Sequence, residues 1–97
     1  MANKMRPVHP GEILRDELNE LGLSANALAK ALGVPANRIT AILNEQRSIT
    51  GDTALRLAKY FGTTPEFWMN LQTAYDVKRA ILESGSMINR TVKTRAA

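Results

Sequence analysis

Apolar residues recur with a helical period along most of the chain, and turn residues divide the pattern into five stretches. Pro10 and Gly11 open the first, in which Leu14, Leu18 and Leu21 follow i, i+4, i+7 spacing with Ile13 beside them; Gly22 ends it. Ser24 then stands as an N-cap, its hydroxyl free to accept an orphan backbone N–H. Leu28, Ala29 and Leu32 form the next apolar face, and Gly33 closes that helix by taking positive φ without a Cβ clash. Val34 plugs the turn. Pro35 pre-sets φ for a third helix that runs to about Asn44, with Ile39, Ile42 and Leu43 on its inner side. Glu45–Thr50 reads as a loop in which Ser48 or Thr50 caps a fourth helix, Gly51–Phe61, facing Ala54, Leu57, Ala58 and Phe61 inward; Gly62 terminates it. Thr64-Pro65-Glu66 restarts the helical pattern with an N-cap, a proline at the first position and an acid that suits the helix dipole. The last helix is predicted from Pro65 to about Leu82. The fold class is therefore all-α.

The stretch from Ser24 to Gln46 organises the rest. Two short helices meet at a tight turn, and Ala29 is small where they cross, which is the helix-turn-helix pattern. Its second helix leaves Ala36, Asn37, Arg38, Thr40 and Ala41 facing outward. A helix with a small, hydrogen-bonding outer face fits the DNA major groove, about 12 Å wide. Asn44 and Arg47, at the end of that helix, are placed to touch the phosphate backbone, which sets register rather than sequence. An ordinary helical hairpin within an all-α core would carry the same apolar pattern.

The final helix has more apolar surface than one core contact uses. Phe67, Leu71 and Ala74 make one stripe, and Trp68, Tyr75 and Leu82 make another, with Leu71 near the border. A second stripe points either to broad burial in the chain's own core or to a partner surface, most simply a two-fold mate. The expected dimer-interface residues are Trp68, Leu71, Tyr75 and Leu82. Residues 1–9, with Lys4, Arg6 and Pro7 and no periodicity, read as an arm that is disordered or reaches toward phosphate or protein. Gly85 is expected to break the last helix. The division is thus an arm at 1–9, a body at 10–84 and a basic tail at 85–97, which forms a short strand or stays disordered until bound.

Composition narrows the chemistry. The 97 residues suit one compact domain with a small core. Cysteine is absent, which removes disulfides and thiolate metal sites and fits a reducing cytoplasm. No apolar run approaches the roughly 20 residues of a membrane span, and no secretory segment follows Met1. The net charge of +4 comes from Lys78, Arg79, Arg90, Lys93 and Arg95, opposed only by Glu83. Glu12, Asp16 and Glu20 make an acidic row at helical spacing, either a solvated face or a contact for a basic partner. His9, the only histidine, precedes Pro10 and suits helix entry better than proton transfer. No metal set, phosphate loop or nucleophile constellation accompanies it, so neither cofactor nor enzymatic activity is expected.

His9–Leu14 (HPGEIL), the motif at Ser24–Asn44 and Thr64–Asp76 (TPEFWMNLQTAYD) together resemble the HigA antitoxins, a branch of the regulators with lambda-repressor-like folds. The resemblance covers about His9 to Leu82, and its last motif is the specific one. It implies a five-helix domain that dimerises, binds operator DNA in front of its own operon, and neutralises a HigB-type mRNA-cleaving toxin by forming a complex with it. Matched to the family motif, the recognition helix starts at Pro35, Ala36, Asn37 and Arg38, with Thr40 and Ala41 one turn later. Relatives of this fold often read bases with glutamines at the starts of both motif helices; this chain has Ala25 and Ala36 there. Asn37 suits adenine, Arg38 suits guanine or phosphate, and Ala36 and Ala41 suit a thymine methyl. Ser24, Asn26, Asn44 and Arg47 are the phosphate candidates. A regulator without a toxin, or an interaction module with a vestigial motif, are the alternatives.

Overall fold

In the computed structural model, which describes residues 6–96, five helices follow one another: α1 (Pro10–Leu21), α2 (Ala25–Leu32), α3 (Ala36–Leu43), α4 (Gly51–Phe61) and α5 (Pro65–Thr91). Four of the helix starts are set by the side chain of the residue before them. His9 Nδ1 accepts from Gly11 N at 2.9 Å, Ser24 Oγ from Ala27 N at 3.1 Å, Thr50 Oγ1 from Thr53 N at 3.4 Å and Thr64 Oγ1 from Phe67 N at 3.1 Å. Such caps contribute about 1 kcal/mol each. Only α3 has no side-chain cap; Pro35 precedes it. Gly33 closes α2 at φ +72, and Glu45 takes φ +62 just beyond α3, where the Gln46 amide bonds back to Ala41 O at 2.8 Å.

The core draws on every helix. Leu14 and Leu18 meet Leu28, Ala29 and Leu32, then Ile39 and Ile42, then Ala54, Leu57 and Ala58, with Ile49 entering from the loop and Trp68 from α5. Each large aliphatic side chain buried there contributes roughly 1.5–3 kcal/mol. Leu21, expected on the inner face of α1, is exposed. The chain reverses at Gly22, the Leu23 amide bonds to Leu18 O at 2.9 Å, and Leu23 packs against the core in its place.

Gly11 makes the tightest approach in the fold. A Cβ built on it would lie 2.0 Å from the carbonyl oxygen of Ile42, so the first turn of α1 rests against the backbone of α3. Arg15 adds a second tie, its Nη2 donating to Leu43 O at 3.1 Å. The start of α1 thereby fixes the end of α3.

Three further expectations change. The arm is not loose where it is described: Arg6 pairs with Glu12 through two nitrogens at 2.5 and 2.8 Å, and His9 is buried edge-on to Tyr75, ring centroids 4.8 Å apart. Lys4 and the rest of residues 1–5 lie outside the described residues. The helix does not stop at Leu82 or break at Gly85. α5 continues to Thr91 as one element of 27 residues, about 40 Å long. Residues 85–91 are therefore helical rather than a strand or free tail. Trp68 belongs to the chain's own core, 2% exposed, with Nε1 donating to Thr63 Oγ1 at 2.9 Å.

Candidate nucleic-acid interface

α2, the turn at Gly33–Pro35 and α3 form the motif. Ala29 is buried between the helices, and the Val34 amide bonds to Ala29 O at 3.0 Å to tie the turn down. α3 turns Ile39 and Ile42 wholly inward. On the opposite side Ala36, Asn37, Thr40 and Asn44 are exposed and Ala41 is half-buried. Their spacing of i, i+1, i+4, i+5, i+8 puts them in one stripe along the helix. Four of the five predicted base-contact residues thus share that stripe, with the phosphate candidate Asn44 at its end.

Arg38, the fifth, does not. It sits on the flank of α3 facing α4, half-buried, with Nη1 donating to Asp52 Oδ2 at 2.6 Å. The same oxygen accepts from Arg56 Nε at 2.9 Å, and Arg56 Nη1 donates to Leu32 O at 2.8 Å, at the end of α2. The hydrogen bonds from Arg56, and then from Arg38, hold the Asp52 carboxyl below its ordinary range. Sequence reading missed Asp52 and Arg56. The two pair at i, i+4 on α4, but their ties to Arg38 and Leu32 lie 14 and 24 residues away, and nothing local marks those.

The phosphate candidates keep usable groups. Ser24 is exposed and its oxygen caps α2, which leaves the hydroxyl proton available. Asn26 is exposed on the first turn of α2. Asn44 Oδ1 accepts from Arg15 at 3.4 Å, which leaves its amide NH2 outward. Arg47 is exposed with no partner among the described residues. Thr40 donates back to Ala36 O at 3.3 Å, a bond a base or phosphate can replace.

The predicted dimer residues separate. Trp68 is removed by its burial. Leu71 and Tyr75 are half-buried and line a shallow groove with Val8, Ile13 and Ala74, and the Tyr75 hydroxyl accepts from Arg79 at 3.1 Å. Leu82 is 62% exposed. Val77 and Ile81, inside the expected helix, are exposed with it, and because α5 continues Ile88 joins them beyond Gly85. Their i, i+4, i+8, i+11 spacing is a helix-pairing pattern that the expected break at Gly85 concealed. Among the described residues no helix is long and apolar enough to cross a membrane.

Comparison with known proteins places this geometry in a family. The helix-turn-helix family pattern matches residues 14–68. An addiction module antidote protein of a HigA family from Coxiella burnetii superposes with a TM-score of 0.92 at 64% identity, covering 94% of this chain and 100% of that one. The Pseudomonas aeruginosa antitoxin HigA, solved with higBA promoter, superposes at 0.90 with 47% identity over 94% of this chain and 100% of that one. Virulence-associated protein I of Dichelobacter nodosus is 61% identical over 79 residues, 80% of this chain and 73% of its own length.

Proposed function

Since the chain belongs to the HigA antitoxin branch of the helix-turn-helix family, we propose that it is the antitoxin of a type II toxin–antitoxin pair. It binds operator DNA in front of its own operon as a homodimer, represses that operon, and neutralises a HigB-type toxin by complex formation in the cytoplasm. It needs no cofactor for either task. The carrying observation is the outward stripe of Ala36, Asn37, Thr40 and Ala41, on the second helix of a motif whose Pseudomonas relative was solved with promoter DNA. Asn37 and Thr40 supply hydrogen bonds to base edges, and Ala36 and Ala41 offer methyl contact. Arg38 enters from the flank. Ser24, Asn26, Asn44 and Arg47 hold phosphates around the motif. The second copy docks on the projecting half of α5, where Val77, Ile81, Leu82 and Ile88 are exposed.

Footprinting of the DNA upstream of the chain's own gene tests the dimeric reading. Two related half-sites one helical turn apart, roughly 34 Å, are expected. A single unrepeated half-site contradicts it. Co-expression with the reading frame beside the gene tests the toxin: a complex that abolishes mRNA cleavage supports the pair. A chain that represses but protects against no neighbouring product is a plain regulator.

A further inference from the structure

We propose that Asp52 is the positioning residue for Arg38, and that the sequence preference of the DNA interface depends on the clasp between them. The inference rests on the DNA-reading role proposed above. Arg38 lies off the outward stripe of α3, so where its guanidinium points is decided by what holds it. Asp52 Oδ2 takes Nη1 at 2.6 Å. Nη2 and Nε have no partner among the described residues and stay available. Because the guanidinium is planar, anchoring one nitrogen confines the other donors to a narrow set of directions. A free arginine would lose that rotamer freedom on binding.

Asp52 is itself fixed. It stands in the first turn of α4, where the helix dipole favours a carboxylate. One turn on, Arg56 bonds the same oxygen and reaches across to Leu32 O at the end of α2. A single strap therefore runs from the motif's first helix through α4 to the flank of its second. Charge supports positioning over attraction. A carboxylate beside DNA repels phosphate, and pairing it with Arg38 cancels a positive charge that would otherwise strengthen binding to any duplex. The pair thus lowers indiscriminate affinity and gains direction.

The test is the ratio of affinities for the upstream duplex and a random duplex, measured on the full chain at two salt concentrations. Asp52→Ala is expected to lower that ratio about tenfold or more, the scale of one lost base contact, while affinity for random DNA holds or rises. Arg38→Ala is expected to lower the ratio similarly, and the double variant no further than Arg38→Ala alone. Asp52→Asn, nearly the same shape, should follow Asp52→Ala in direction and controls for folding. An unchanged ratio in both Asp52 variants, an equal fall on both duplexes, or losses that multiply in the double variant would overturn the proposal. If the unaltered chain shows no preference for upstream DNA, the DNA-reading role fails and this inference with it. A preference that survives Asp52→Ala defeats the positioning role alone.

Discussion

Gly11 shows how much one missing methyl can decide. By helix propensity alone, alanine at a helical position is favoured over glycine by about 1 kcal/mol. Here the added Cβ would stand 2.0 Å from Ile42 O, backbone that can move only by shifting α3. Gly11→Ala is therefore expected to destabilise the fold by about 1–3 kcal/mol in urea unfolding. A stabilised variant would mean that α1 and α3 are further apart than described. The binding residues divide by role at the same scale. Asn37→Ala should cost about 1–3 kcal/mol on upstream DNA and relax the sequence preference. Arg47→Ala should weaken binding to all DNA alike and lower the salt slope by about 1. Identical behaviour of the two would erase the distinction between reading and grip.

At the scale of elements, what the sequence revealed was what is local. Ser24, Thr50 and Thr64 cap as expected because a cap and its amide lie three residues apart. Gly33 and Pro35 bound the turn of the motif for the same reason. Gly85 misled because one helical glycine costs only about 1 kcal/mol, which flanking helix-formers such as Leu82 and Met87 offset. Trp68 was assigned to a partner because helical spacing cannot tell a buried stripe from an outward one. Asp52 and Gln72 each have an i, i+4 partner, Arg56 and Asp76, but their ties to Arg38 and Ile49 span 14 and 23 residues and leave no sequence signal. Gln72 is the joint between α5 and the loop after α3. Its Oε1 accepts from Ile49 N at 2.7 Å in the interior, while Nε2 donates to Asp76 at 2.9 Å. Gln72→Leu keeps the bulk but leaves a buried amide unpaired. It should cost about 1–3 kcal/mol in thermal unfolding and speed hydrogen exchange at Ile49. Unchanged exchange there would show that the joint does not hold the loop.

The whole molecule is a small helical body with one long helix projecting from it, its longest extent 51 Å against 27 and 23 Å for the others. That projection leaves Val77, Ile81 and Ile88 in water, an exposure a single chain gains nothing from. Ile81→Lys is expected to raise the dimer dissociation constant about tenfold or more in sedimentation while the unfolding midpoint of the monomer stays within experimental error, because Ile81 is 62% exposed and lies outside the core cluster. A monomer destabilised to the same degree would place Ile81 in the body instead. Trp68→Ala should do the reverse, costing about 3–5 kcal/mol of fold stability.

The central claim is that this scaffold presents α3 to a particular DNA sequence. Titrating the purified chain against a duplex from upstream of its own gene and a random duplex of equal length, at near-physiological salt, tests it directly. A preference of several hundredfold or more is predicted. Equal, weak binding to both would contradict the account.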